Sequence, residues 1–250
     1  MARMRLTVLG TAGSYPGPGR ACSSYLLESS GFRLLVDCGH GAMSNLASVC
    51  DPADIDALFL SHQHPDHWAD AVALHVARRW HPRGPQRLPV YGPTGLGGFI
   101  GQIMADPSDW SWLFPFTGAE PGQRLEIGPF DLRLYAASHP VTTLAARISA
   151  GGVTVGYTAD SGLSDSMAAV AKDADLFLAD CSWPSSAGPF PADMHLTGAE
   201  AGEAAARGGA ARLVVTHVLP IYDPRALAED AATTFSGRID VAEDLEVLEL

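Results

Sequence analysis

Short apolar runs rich in β-branched residues alternate along this chain with stretches of helical periodicity. The runs predict strands at Arg5–Leu9, Ser24–Leu27, Arg33–Val36, Ala57–Leu60, Pro89–Tyr91, Phe130–Ala136, Leu144–Ile148, Val153–Tyr157, Leu176–Ala179, Leu213–Thr216 and Glu246–Leu250. Helices are predicted at His67–Trp80, Gly95–Ala105, Ser164–Lys172, Gly198–Arg207 and Pro224–Thr233. Thr197 and the Asp223-Pro224 pair supply N-caps for the last two. Many strands come first, then hairpins, then βα units, a pattern that suits an α/β fold of four αββα layers better than a doubly wound parallel sheet. The Gly- and Pro-rich segments Gly13–Gly19 and Trp183–Pro191 read as surface loops, too short to be linkers, so residues 1–250 read as one domain.

Composition narrows the possibilities. With 250 residues, 47% hydrophobic and 18% charged, the chain can bury a sizeable core. No window approaches the roughly 20 apolar residues that span a bilayer, so no membrane partner is expected. The start has Arg3, Arg5 and only the short apolar run Leu6–Leu9, which reads as a first strand rather than a secretion signal, and a cytoplasmic location is the expectation. The four cysteines show no paired spacing and read as buried free thiols. Sixteen basic residues against 28 acidic ones, a net charge of −12, argue against a long nucleic acid as partner. A small anionic substrate stays open, because a local dication outweighs the global charge.

The chemistry concentrates in Ser61-His62-Gln63-His64-Pro65-Asp66-His67, directly after the apolar run Leu58-Phe59-Leu60. Imidazoles and a carboxylate without thiolates suit zinc, with manganese or iron as alternatives. His62 and His64 are placed to face one ion while Asp66 and His67 turn to a second. Completing two shells needs distant donors, and His139, Asp160 and His217 each follow a strand-like run. Asp160 is the natural bridge, since a carboxylate offers one oxygen to each cation. A water shared by two such cations loses a proton near neutral pH and becomes a nucleophile, with Asp66 orienting it as well as ligating.

Together with Asp37 in Val36-Asp37-Cys38-Gly39 and Asp160 in Tyr157-Thr158-Ala159-Asp160-Ser161-Gly162, these motifs resemble those of the metallo-β-lactamase superfamily, over nearly the whole chain. The resemblance implies the four-layer αββα metallo-β-lactamase sandwich, with Asp37 supporting the ligands from behind. Gly10-Thr11-Ala12-Gly13-Ser14-Tyr15-Pro16, Tyr91-Gly92-Pro93 and Met194-His195-Leu196-Thr197 are similar to the ribonuclease Z and phosphodiesterase branch. That likeness implies a catalytic His195 outside the metal shell, serving the leaving oxygen, with Asp180 orienting it. It also implies a homodimer. The family usually carries Glu at the position of Asp180, so a shorter side chain has to reach His195. His40 stands where relatives often have an acidic residue and is not read as a ligand. The long RNA-gripping arm of transfer-RNA processing enzymes is missing, because only a hairpin joins His139 to Asp160.

The armless layout and the proline-bearing stretch Trp183 to Leu196 resemble bacterial cyclic-nucleotide phosphodiesterases of this fold. What the resemblance implies is a dinuclear metal-dependent phosphodiesterase acting on a small phosphodiester such as a cyclic nucleotide. Two alternatives remain open: hydrolysis of a lactone or thioester on the same centre, and a metal-binding protein without activity. His75 and His81 read as surface or rim groups, and Arg78, Arg79 and Arg83 as a solvated basic cluster. Trp68, Trp110 and Trp112 read as core residues or as pocket walls.

Overall fold

The computed structural model describes residues 4–250, so Arg3, part of the predicted start, lies outside the described residues. One sheet comprises β1 (Arg5–Gly10), β2 (Ser24–Ser29), β3 (Phe32–Val36), β4 (Ala57–Phe59), β5 (Val90–Pro93), β6 (Phe116–Ala119) and, from the far end of the chain, β14 (Val247–Glu249). The other comprises β7 (Arg124–Ile127), β8 (Phe130–Ala136), β9 (Leu144–Ala150), β10 (Val153–Tyr157), β11 (Leu176–Asp180), β12 (Arg212–Thr216) and β13 (Arg238–Val241). Their spatial orders are β14-β1-β2-β3-β4-β5-β6 and β13-β12-β11-β10-β9-β8-β7. Both sheets are mixed. Pairing is parallel from β3 to β6 and from β10 to β13, and antiparallel in the remainder.

The period-2 side-chain rule explains how two such sheets make four layers. In β3, Leu34 and Val36 enter the core shared by the two sheets, while Leu35 turns to the outer core beneath the helices. In β11, Leu176 and Leu178 enter the shared core, and Phe177 and Ala179 face the opposite outer layer. Helices α1 (Ala42–Val49), α2 (Ala71–Arg79), α3 (Leu96–Ile103) and α4 (Pro107–Leu113) cover the first sheet through Leu46, Leu74, Ile100 and Trp110. Helices α5 (Asp165–Ala171), α6 (Gly198–Gly208) and α7 (Pro224–Ala231) cover the second through Val170, Ala201 and Leu227. The αββα sandwich expected from the sequence is the fold observed.

Thr197 caps α6 in a reciprocal capping box with Glu200, and Asp223 caps α7 ahead of Pro224. Gly151 and Gly152, both at positive φ, turn β9 back into β10, so a plain hairpin joins the His139 and Asp160 segments.

Several elements differ from the sequence reading. Strands β6, β7 and β13 are four residues each, too short for alternation to register. Helix α1 begins after Gly41 without a side-chain cap, so it carries no start signal. Helix α4 does carry one, Asp106 before Pro107, which the sequence reading passed over. The helix predicted from His67 begins only at Ala71. Residues Pro65–His67 instead form a short 3-10 turn whose exit is tied to the β3 end, Cys38 N–H donating to the His67 carbonyl and Asp70 N–H to that of Cys38. That tie fixes where the His67 ring points.

Candidate metal centre

The C-terminal ends of β3, β4, β8, β10, β11 and β12 converge on one rim of the sandwich, and the chemistry-bearing residues sit just beyond them or, for Asp180, on the last strand position. Three of these ends leave the strand through a left-handed non-glycine residue: Asp37 at φ 57°, Ala159 at φ 51° and His217 at φ 55°. Such backbone costs of the order of 1–3 kcal/mol per residue, so the surrounding contacts must over-determine it. Here it swings side chains off the strand axis toward a common point. Gly13 comes close enough that a Cβ would lie 2.5 Å from the His217 carbonyl and 2.7 Å from its Nδ1, so only glycine fits.

Three donor groups result, with donor atoms within 4.8 Å of one another in each. His62, His64, His139 and Asp160 form the first, Asp66, His67, Asp160 and His217 the second, and Asp160, Asp180, His195 and His217 a third that shares Asp160 and His217 with the second. His64 Nδ1 lies 3.0 Å from His139 Nε2, and His67 Nε2 lies 3.2 Å from His217 Nε2. Asp160 Oδ1 is 2.9 Å from His67 Nε2 and 3.2 Å from His217 Nε2, while its Oδ2 is 3.5 Å from His62 Nε2. Asp66 Oδ2 lies 3.3 Å from His217 Nε2 and accepts the Ser14 N–H at 2.8 Å. Four donors about 2.0–2.2 Å from one zinc-like ion are separated by roughly 3.3 Å, so these spacings fit edges of coordination polyhedra. His62 Nε2 and Asp160 Oδ1 are moreover buried atoms without a hydrogen-bond partner. Such atoms are costly unless something else binds them.

Four of the five remaining ring nitrogens, all but that of His64, are pinned from behind. His67 Nδ1 meets Asp37 Oδ2 at 2.8 Å, His62 Nδ1 meets Ser61 Oγ at 3.0 Å, His139 Nδ1 meets the Met194 carbonyl at 2.8 Å, and His217 Nδ1 meets Ser182 Oγ at 3.0 Å. Asp37 also accepts from Ser61 N–H, Ser61 Oγ and the Tyr157 hydroxyl. Outer partners of this kind set the tautomer and leave the inner nitrogen free to bind a cation.

Charge tells the same story. Asp37, Asp66, Asp160 and Asp180 are all buried, and no Lys or Arg among the described residues bonds them. Burial opposes charge on His217, yet Asp160 and Asp180 lift its ring to about 10. His67 is raised as well, against its burial, by Asp160, Asp37 and Asp66. Burial, with His67 beside it, drives His62 down to about 4. A concentrated negative field that draws positive charge onto His67 and His217 against their burial fits a cation site by its chemistry.

Next to the second set, His195 Nδ1 lies 2.8 Å from Asp180 Oδ2 and 3.9 Å from Asp160 Oδ2. The aspartate spans the gap despite its shorter side chain. Burial works against a charged His195, and Asp180 more than offsets it. The Ser182 hydroxyl donates to Asp180 Oδ1 at 2.8 Å. His40 is exposed and joins none of the three groups.

Sequence reasoning missed Ser61, Tyr157 and Ser182, polar neighbours of recognised motifs whose contacts span up to 120 positions. It also misplaced others. Trp183 is buried rather than in a surface loop, stacked on Phe190 at 4.1 Å with its plane edge-on to His195 at 5.1 Å. His75 is buried between Trp110 and Phe114, because α4 folds over its helix face. Arg78 is buried too, its guanidinium donating to the carbonyls of Pro52, Ile55, Gln86 and Arg87. Arg79 and Arg83 do sit at the surface, paired with Asp109 and with Asp51 and Asp54. Trp68 and Trp110 are core residues, and Trp112 is exposed on the outer face.

Among the described residues no helix is long and apolar enough to cross a membrane. The model of a beta-lactamase superfamily domain matches residues 32–218. The probable metallo-hydrolase YhfI of Bacillus subtilis is 35% identical over 247 residues, covering 96% of this chain and 97% of its own. A crystal structure of YhfI superposes with a TM-score of 0.90 at 32% identity, over 100% of both chains. A ribonuclease Z of Mycobacterium bovis is 30% identical over 285 residues, covering 99% of this chain and 98% of its own. This chain belongs to the β-lactamase superfamily and is a metal-dependent hydrolase of that fold.

Proposed function

We propose that the chain is a dinuclear phosphodiesterase acting on a small phosphodiester such as a cyclic nucleotide. His62, His64, His139 and Asp160 would hold one divalent ion, and Asp66, His67, Asp160 and His217 a second, with zinc the best match to the imidazole–carboxylate set. Bound there, such ions supply Lewis acidity to a phosphoryl oxygen and make a water acidic enough to act as nucleophile near neutral pH.

The observation that carries the reading is the His195–Asp180 contact at 2.8 Å, a proton-handling pair outside the first two donor groups that borders Asp160 and His217 in the third. Asp180 accepts from Nδ1–H and so leaves Nε2–H of a protonated His195 as the free donor. As the ester P–O bond breaks, that proton passes to the leaving alkoxide and His195 ends neutral, still held by Asp180. An alkoxide needs this proton badly. A thiolate, whose conjugate acid has a pKa of about 8.5, leaves without one, so a dedicated donor favours an oxygen ester over a thioester. The relative named ribonuclease Z supports phosphodiester chemistry. The tight β9–β10 hairpin and the net charge of −12 favour a small substrate over a long nucleic acid.

Metal-reconstituted protein should hydrolyse bis(p-nitrophenyl) phosphate, and Asp160→Ala should abolish that turnover. His195→Ala should slow it by about 100-fold or more while metal content stays at the wild-type level. Hydrolysis of lactones or thioesters only, with no phosphodiester turned over, overturns the reading.

A further inference from the structure

A cavity of about 560 Å³ opens beside the centre on the side of His195, walled by Trp183, Phe190, Pro189 and Glu200. We infer that it is a subsite for an uncharged, flat, amino-bearing nucleoside attached to the leaving oxygen. The inference rests on the phosphodiesterase reading and names the substrate class for it.

Three features define the occupant. The first is position. His195 lines the cavity and also sits with Asp160, Asp180 and His217 in one donor cluster, so a group filling the cavity is attached on the side that the proton donor serves. The second is shape. Trp183 and Phe190 stack at 4.1 Å with planes 16° apart, and Trp183 is edge-on to His195. Phe190 is only partly buried, with one face spent on Trp183, and it presents a rigid aromatic surface to a planar guest. A volume of this size suits a nucleoside and falls within the range of small-molecule pockets.

The third feature is charge. Among the described residues no Lys or Arg lines the cavity, so a second phosphate there has no counter-ion. Glu200 adds an acceptor. Its Oε2 is committed to the Thr197 backbone N–H at 2.8 Å and to the Thr197 hydroxyl at 3.0 Å, and no hydrogen bond from the described residues reaches Oε1. A free carboxylate oxygen selects an N–H donor such as an exocyclic amino group and repels a phosphate. A single nucleoside with an amino-bearing base satisfies all three features; a polynucleotide does not.

The probes are adenosine 3′,5′-cyclic phosphate and its purine riboside counterpart, which differs only in lacking the amino group. Wild-type kcat/KM should favour the adenosine compound by about fivefold or more, the scale of one hydrogen bond to a charged group. Glu200→Gln keeps the capping box, since glutamine serves there as well, but places an amide N–H₂ in the position of Oε1. The preference should then fall below about twofold. Phe190→Leu should raise KM for the adenosine compound by about tenfold, and Phe190→Tyr should restore it, as base stacking requires. A wild-type preference under fivefold, or one unmoved by Glu200→Gln, overturns the subsite. If bis(p-nitrophenyl) phosphate is still hydrolysed in that case, the phosphodiesterase reading stands without it. If no phosphodiester is hydrolysed, both fall.

Discussion

The hydroxyl of Ser182 donates to Oδ1 of Asp180 at 2.8 Å. The same oxygen stands 3.0 Å from His217 Nδ1, so it can accept from that ring while giving its own proton to the aspartate. Asp180 in turn holds His195 through its other oxygen. One buried hydroxyl thus joins the proposed metal-binding imidazole to the proposed proton donor, and each hydrogen along the chain of bonds has an acceptor.

Ser182→Ala removes the nearest partner of His217 Nδ1–H, which keeps only Asp180 Oδ1 at 3.3 Å, and takes one donor from that buried carboxylate, at a cost of about 1–3 kcal/mol. Both metal affinity, by titration of the apoprotein, and kcat should fall, and Ser182→Thr should recover both. A purely space-filling role would let Ser182→Ala bind metal as tightly as wild type.

Removing metal should destabilise the fold, because the donor sets draw on the ends of both sheets and hold several buried carboxylates together. At a free ion concentration 1,000 times Kd, binding adds about 4 kcal/mol. For a domain of this size that corresponds to roughly 8 °C or more in Tm. Calorimetry with and without chelator measures it, and equal melting temperatures would show that the ions are held loosely or not at all.

Arg78 stabilises the fold rather than the reaction. Its guanidinium satisfies four backbone carbonyls from two separate loops while buried, and burial lowers its pKa to about 10. Arg78→Met orphans those carbonyls and should cost about 2–4 kcal/mol in denaturant unfolding, with kcat of the folded protein unchanged. A change below about 0.5 kcal/mol, the level of ordinary surface substitutions, would refute the role.

The thiols should be quiet. Cys22, Cys38 and Cys181 are buried, and burial raises all three; Cys22 reaches about 12, with Asp66 adding to the effect. At pH 8 their thiolate fractions are negligible. A chromogenic disulfide reagent should therefore modify at most the half-buried Cys50 promptly in native protein, and all four cysteines after unfolding. Two or more fast thiols would contradict the burial described.

The αββα order was legible in the sequence because fully buried parallel strands read as unbroken apolar runs, as in Leu176–Ala179 and Leu213–Thr216. The donors were legible for a related reason: polar His and Asp stand out at the point where such a run stops. His62, His64, Asp66 and His67 share one loop, so their local spacing marks them without any knowledge of the fold.

The sequence by itself determined which residue types are present and where each strand releases them. Only the tertiary structure decided who meets whom. His64 meets His139 across 75 positions, and His67 meets His217 across 150, because the parallel halves of two sheets deliver their C-terminal ends to one rim. Burial was decided there as well. His75 and Arg78 look solvated on their own helix, yet α4 covers the first and the carbonyls of two distant loops satisfy the second. Hydrophobic periodicity reports which face of an element turns inward. It carries no information about the polar partner that makes a buried charge tolerable, since that partner arrives from elsewhere in the chain.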